Sequence, residues 1–299
     1  MKSLIVVVGP TAVGKTDLCI RLAQEYQTEI VSADSRQVFK ELVIGTAKPT
    51  DNELQQVKHH FINSHSIHED FNAGDYERDA LALLGHLFDS HEVVILTGGS
   101  GLYVKALTDG MADMPEIDPE VRSQLKAELE EKGLSFLVEE LKEADPDYYG
   151  RVDLQNPQRV IRALEVIRST GQKYSELRTD EKKQRPFKII KVGLERPREE
   201  LYQRIDLRMD IMIGQGLFQE AKDFHHLKHI NALQTVGYKE IFDYLDGEYD
   251  RDEAIRLLKR NSRRYAKRQF TWFRRDEEMK WFHPDNYEGI LHYINEQIG

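Results

Sequence analysis

Close to its start the chain carries Gly9-Pro10-Thr11-Ala12-Val13-Gly14-Lys15-Thr16, which satisfies the phosphate-loop pattern G-x-x-x-x-G-K-[ST] in full. The flanks fit the same reading. Leu4 to Val8 is a short, unbroken apolar run rich in β-branched residues, as expected of a buried parallel strand. Asp17 to Glu25 has helical spacing, with Leu18, Leu22 and Ala23 on one side. Strand, glycine loop and helix in that order aim loop amides and the positive end of a helix dipole at an anion. Lys15 adds a point charge, and the Thr16 hydroxyl suits a Mg²⁺ shared with phosphates. The predicted fold is therefore α/β: a parallel sheet of the P-loop NTPase type, flanked by helices. A polyphosphate is the expected ligand.

Later segments supply further strand ends. Glu29 to Ala33 reads as a second strand and delivers Asp34-Ser35-Arg36-Gln37. Open parallel sheets bind ligands outside the carboxyl ends of their strands, which sets Asp34 beside the phosphate loop. Two roles fit Asp34: a turn or N-cap aspartate, and a carboxylate acting on the ligand. Ile44-Gly45-Thr46-Ala47-Lys48-Pro49 follows as a polar loop. Glu92 to Thr97 is the next buried strand, running into Gly98-Gly99-Ser100-Gly101-Leu102-Tyr103. Those glycines suit either a plain strand-to-helix turn or a close approach of substrate to backbone. The strand lacks the acid that holds Mg²⁺ and the attacking water in many loop-type ATPases, which argues against plain nucleotide hydrolysis. His59, His60, His65 and His68 fit no closed zinc spacing and read as solvated or loop histidines, with His225 and His229 as surface residues.

At 299 residues and 40% hydrophobic, the chain suits one large or two modest domains. No apolar run is long enough to span a bilayer. A single cysteine, Cys19, and a strand beginning at residue 3 predict a cytoplasmic protein without a leader. The net charge of −10 argues against a nucleic-acid partner until its distribution is considered. Glu116 to Asp147 holds eleven acids against four bases, whereas Lys259 to Arg275 holds eight bases and no acid. Residues 116–188 read as an inserted helical subdomain between a first core part, 1–115, and a return to the core with C-terminal helices, 189–299. The insert has helices from Pro119 to Lys132 and from Ser135 to Glu143. A third, opened by Asn156-Pro157, carries Gln158, Arg159, Arg162, Glu165 and Arg168 and closes at Gly171. Lys188 to Leu194 returns to strand, and Arg198 to Phe224 reads as one helix. Its Arg204 and Arg208 share a face, suited to an anion or to solvated pairing with Asp206 and Asp210. The last long helix, from Glu253 to about Arg275, has an apolar stripe of Ile255, Leu258, Ala266, Phe270 and Phe273. Its other side is basic and lacks local acids, as a solvated face or a polyanion-binding one would be.

Taken together these segments resemble the bacterial tRNA dimethylallyltransferases. The residues that carry the likeness are Gly9 to Thr16, Ala33-Asp34-Ser35-Arg36-Gln37-Val38-Phe39, Ile44 to Pro49 and Gly98 to Tyr103. Asn156 to Glu165, Val236-Gly237-Tyr238 and Ala266-Lys267-Arg268-Gln269-Phe270-Thr271-Trp272-Phe273 complete it. They follow the family's order across almost the whole chain. Ser100 stands where the family often has threonine, and the eukaryotic members' C-terminal zinc finger is missing. The resemblance implies a diphosphate client for the loop: dimethylallyl diphosphate with Mg²⁺, held by Gly9, Pro10, Thr11, Ala12, Val13, Gly14, Lys15 and Thr16. Thr11 would lie near the bridging oxygen, Thr16 on the metal, and Arg208 on the leaving group. Asp34 matches the family's general base towards a flipped-out adenosine. Asp34, Ser35, Arg36, Gln37, Ser100, Arg122, Gln158, Arg159, Val160, Ile161, Arg162 and Arg268 are the implied tRNA contacts, and the protein is expected to be a monomer. A small-molecule kinase using the loop for ATP, an adenine-nucleotide prenyltransferase and a non-catalytic RNA-binding module are the competing functions. Phosphoryl transfer from ATP to a metabolite would mark the kinase. Modification of free AMP would mark the nucleotide enzyme, and indifference to loss of Asp34 would mark the binding module.

Overall fold

In the computed structural model, which describes residues 2–178 and 181–299, the first apolar run becomes the middle of a sheet. The strands are β1 (Ser3–Val8), β2 (Ile30–Ser32), β3 (His59–His60), β4 (Val93–Gly98), β5 (Lys188–Leu194) and β6 (Lys280–Phe282). They pair in the order β3-β2-β4-β1-β5-β6, every pair parallel. Ser3 to Val8 of β1 run in register with Val93 to Gly98 of β4, so Gly9 and Gly99 leave the sheet side by side. Leu4 to Val8 have no exposed surface, which explains their apolar character on both faces.

Two compact units are present, one comprising residues 1–108 and 184–299, the other 109–183. In the first, helix Lys15–Glu25 lays Leu18, Cys19, Leu22 and Ala23 against Ile5, Val7 and Ile30. Burying each large aliphatic side chain contributes about 1.5–3 kcal/mol. Helix Ala73–Ser90 opens with a capping box between Asn72 and Asp75. A second cluster joins Val38 and Leu42 after β2 to Met209, Met212, Leu217, Tyr238, Ile241 and Leu258.

The second unit is all helical: Pro119–Lys132, Leu134–Ala144, Pro146–Tyr149, Pro157–Thr170 and Tyr174–Leu177. Asp118, Asp145 and Asn156 cap three of these, each before a proline, and Gly171 ends the longest apolar face in a left-handed turn. Leu125, Leu137, Leu141, Val160, Ile161 and Leu164 form its core.

Three expectations need correction. The segment from Arg198 to Phe224 is two helices, Arg198–Gly214 and Leu217–Phe224, because Gly216 takes φ 107° between them. His59 and His60 are not loop residues but a short strand, pairing with Ile30 and Val31 along the otherwise open side of β2. The basic helix, Arg251–Phe273, is not without acids: Lys259 pairs with Asp210, Arg263 with Asp206 and Arg274 with Glu195, all supplied by other elements. Among the described residues no helix is long and apolar enough to cross a membrane.

Candidate active site

The carboxyl ends of β1, β2 and β4 open into a cavity of about 450 Å³ within the first unit. Thr11, Ala12, Gly14, Lys15 and Thr16 of the phosphate loop form one wall, and Asp34, Arg36 and Gln37 after β2 form another. Arg204 and Arg208 enter from helix Arg198–Gly214, one turn apart, as their spacing predicts. Their expected alternative partners, Asp206 and Asp210, are taken by Arg263 and Lys259. Ile205, Met209, Met212 and Val236 give the same cavity an apolar side.

The phosphate loop is tied down through its carbonyls. Lys15 Nζ donates to Gly9 O (2.9 Å) and Pro10 O (2.8 Å). Arg196 Nε donates to Val13 O at 2.8 Å. Arg204 Nε donates to Ala12 O at 2.9 Å, while Arg208 reaches Ala47 O at 3.4 Å. Ala12 (φ 63°) and Ala47 (φ 48°) are both left-handed, a conformation costing an alanine roughly 1–2 kcal/mol. Each of the two arginines thus holds a strained carbonyl in the cavity wall. Burial and the Arg208 charge lower the Lys15 pKa to about 8, against the opposing pull of Asp34. Burial likewise lowers the Arg208 pKa, with Asp34 again opposing. Two desolvated cations, Lys15 and Arg208, therefore share the cavity with the Asp34 carboxylate and the more exposed Arg204.

Asp34 takes the turn role foreseen for it. Its Oδ1 accepts from Arg36 N (2.9 Å) and Gln37 N (3.2 Å), an Asx turn that fixes the side chain at the cavity edge. Its Oδ2 has no hydrogen bond among the described residues, which leaves an acceptor for a ligand. Ser100 Oγ accepts from Ser35 N at 2.9 Å and donates to Ser35 Oγ at 3.1 Å, joining the two strand-end turns. Arg36 lies at the cavity with its pKa lowered by burial, next to Asp34, Tyr265 and Tyr103.

Two residues are given no site role by the sequence reading, although Gln269 lies in one of the segments that carry the resemblance. Gln269 sits on the buried side of the basic helix, 6% exposed; its Oε1 accepts from Thr11 N at 2.8 Å and its Nε2 donates to Gly99 O at 2.9 Å. The signal available was a glutamine on an apolar stripe. Glu220 accepts from the backbone amides of Val43 (3.1 Å), Ile44 (2.8 Å) and Gly45 (2.8 Å), and from Tyr238 Oη (2.5 Å). It thereby joins the 44–49 loop to the Thr235–Tyr238 turn, both of which line the cavity. A Cβ on Gly45 would lie 2.5 Å from the Tyr238 ring, so only glycine allows this approach.

Of the remaining expected contacts, Arg268 is exposed on the basic helix. In the helical unit Gln158 and Arg159 are exposed, but Val160 and Ile161 are core residues at 0% and 5% exposure. Of that segment, only Gln158, Arg159 and the half-buried Arg162 present side chains to solvent. Arg122 and Arg162 both pair with the buried Glu165, Arg122 through two nitrogens at 2.6 and 3.1 Å. For a metal, the cavity offers hard oxygens: the Thr16 hydroxyl, Asp34, and Thr97 Oγ1, which is buried beside the Cys19 thiol. No group of three or more His, Cys, Asp or Glu among the described residues could hold an ion. That set fits a Mg²⁺ carried mainly by phosphate and water, not one caged by protein.

Comparison with known proteins agrees with these features. The family model for IPP transferase matches residues 37–276. A tRNA dimethylallyltransferase of Cytophaga hutchinsonii is 57% identical over 297 residues, covering 99% of this chain and 98% of that one. A tRNA dimethylallyltransferase 1 of Bacteroides thetaiotaomicron is 50% identical over 99% of this chain and 96% of its own. The crystal structure of a tRNA isopentenylpyrophosphate transferase from Bacillus halodurans superposes with a TM-score of 0.74 at 36% identity, covering 100% of this chain and 97% of that one. A eukaryotic dimethylallyltransferase captured acting on tRNA gives a TM-score of 0.76 at 27% identity, covering 91% of this chain and 70% of its own.

Proposed function

The chain belongs to the IPP transferase family, and from that premise we propose that it is a tRNA dimethylallyltransferase. It moves the dimethylallyl group of dimethylallyl diphosphate to the exocyclic amine of the adenosine 3′-adjacent to the anticodon, releasing diphosphate. The observation that carries the reading is one cavity holding a phosphate loop, a carboxylate with a free oxygen and an apolar wall.

In this reading the loop amides, Lys15, Arg204 and Arg208 bind the diphosphate, and the prenyl tail lies against Ile205, Met209, Met212 and Val236. Thr16 would hold Mg²⁺, which supplies further charge neutralisation on the leaving group when bound. The adenine amine is a weak nucleophile because its lone pair is delocalised into the ring. Asp34 Oδ2 accepts its proton as the nitrogen attacks the allylic carbon. The N6–C bond forms, the C–O bond to diphosphate breaks, and that electron pair leaves with the diphosphate. The absence of an acid at the end of β4, where Thr97 stands, fits a reaction with no water to activate. Ser35 to Gln37 at the cavity wall, and Ser100, Gln158, Arg159, Arg162 and Arg268 beyond it, are assigned to tRNA.

Mass spectrometry of tRNA after incubation with dimethylallyl diphosphate and Mg²⁺ tests the proposal. A nucleoside heavier by C₅H₈ is expected next to the anticodon. Unmodified tRNA, or phosphate transfer from ATP to a metabolite, refutes it.

A further inference from the structure

The basic helix carries more than charge. Arg264, Arg268 and Trp272 follow one another at intervals of four and form one exposed stripe of the helix, and Arg275, also exposed, lies two residues past the helix end. The neighbouring Lys259, Arg263 and Arg274 have carboxylate partners; Arg264, Arg268 and Arg275 have none among the described residues. Within the stripe Trp272 is 37% exposed, an unusual position for the largest apolar side chain on an otherwise charged face. One edge of its indole rests on Gly101: a Cβ there would lie 2.2 Å from Trp272 Cδ1 and Nε1. Gly101 belongs to the turn that places Gly98 and Gly99 in the cavity wall and Ser100 against Ser35. The ring is thus held at a fixed place near the cavity's rim, between arginines that repel one another.

We propose that Trp272 is a stacking platform for an unpaired nucleobase of the bound RNA, with Arg264, Arg268 and Arg275 taking the adjoining phosphates. This rests on the reading of the chain as acting on tRNA and gives Trp272 a role that the resemblance does not assign. Phosphates relieve the like-charge repulsion, which a neutral partner would leave in place. A fixed indole offers a base a flat face at small entropic cost, and single-stranded nucleic acid presents both features at such spacing. Extruding the target adenosine breaks the stack of the loop, and a platform outside the cavity offers a replacement face to a neighbouring base.

The test is the affinity of an anticodon stem-loop, measured by fluorescence anisotropy at one fixed salt concentration. Trp272→Ala should weaken binding about tenfold while Trp272→Phe stays within about threefold of the parent protein. In a series of stem-loops with single abasic loop positions, one position should weaken the parent protein about tenfold yet leave Trp272→Ala no weaker than it already is. If Trp272→Ala melts early, Trp281→Phe leaves Trp272 as the one indole, and its emission should quench on RNA binding. Parent-like binding by Trp272→Ala, additive abasic effects or an absence of quenching each overturns the stacking contact. If Arg268→Ala weakens RNA binding while Trp272→Ala does not, the platform fails and the tRNA reading stands. If the parent protein binds no stem-loop, both fall.

Discussion

Glu220 makes a demanding test of how the cavity is built, because it stands outside the cavity and acts only through two of its walls. Its Oε2 serves Val43 N and Ile44 N, and its Oε1 serves Gly45 N and Tyr238 Oη. Tyr238 is fully buried, and burial together with the Glu220 charge pushes its phenol far up, so it stays a donor. In Glu220→Gln one of the two oxygens becomes an NH₂ that faces two donors. Two charge-assisted bonds are lost, at about 1–2 kcal/mol each after solvent relieves the exposed Val43 amide, or about 2–4 kcal/mol together. For a chain of this size that lowers the melting temperature by about 4–8 °C. The released loop carries Ala47, whose carbonyl takes Arg208 and, at 3.2 Å, Gln37 Nε2. KM for the prenyl donor should therefore rise on the order of tenfold, with a smaller change in kcat. Tyr238→Phe removes only one of the four bonds and should cost about 1 kcal/mol. Differential scanning calorimetry and steady-state kinetics read these effects. Glu220→Gln with parent-like melting and donor KM would refute the argument.

Two further outcomes follow from the loop. Gln269→Glu keeps an acceptor for Thr11 N but sets a carboxylate against Gly99 O and beside the diphosphate site, so donor affinity should fall about tenfold or more, measured by calorimetry. Lys15 titrates in the free protein at about 8, below the ordinary 10.5, and a bound diphosphate favours its charged form. Donor affinity should be full below about pH 8 and fall by up to tenfold per unit above it, until the pKa of the complex is reached. An affinity flat from about pH 7 to about pH 9.5 would contradict Lys15 as a diphosphate ligand.

What the sequence discloses here follows the range over which each feature is encoded. The phosphate loop, Asp34 and the one-turn pair Arg204 and Arg208 are local: neighbours in sequence fix their geometry, and strand ends gather them by rule. The caps at Asp118, Asn156 and Gly171 are local too. Gln269 touches Thr11 across 258 residues, and Glu220 holds Ile44 across 176, so nothing near either residue marks its partner. The break at Gly216 was readable only by giving its glycine more weight than the apolar rhythm on either side. The acids that neutralise Lys259 and Arg263 lie on another helix, so the basic face looked barer in sequence than it is in the fold.

The central claim is that Asp34 takes the proton from an adenosine amine of tRNA. Asp34→Asn isolates it, since asparagine keeps an acceptor for Arg36 N and Gln37 N and so preserves the turn. The direct measurement is single-turnover prenylation of tRNA by this variant, followed by mass spectrometry alongside tRNA affinity. The account predicts tRNA binding close to that of the parent protein and a rate of prenyl transfer lower by about 100-fold or more. Prenylation at the parent rate would contradict it.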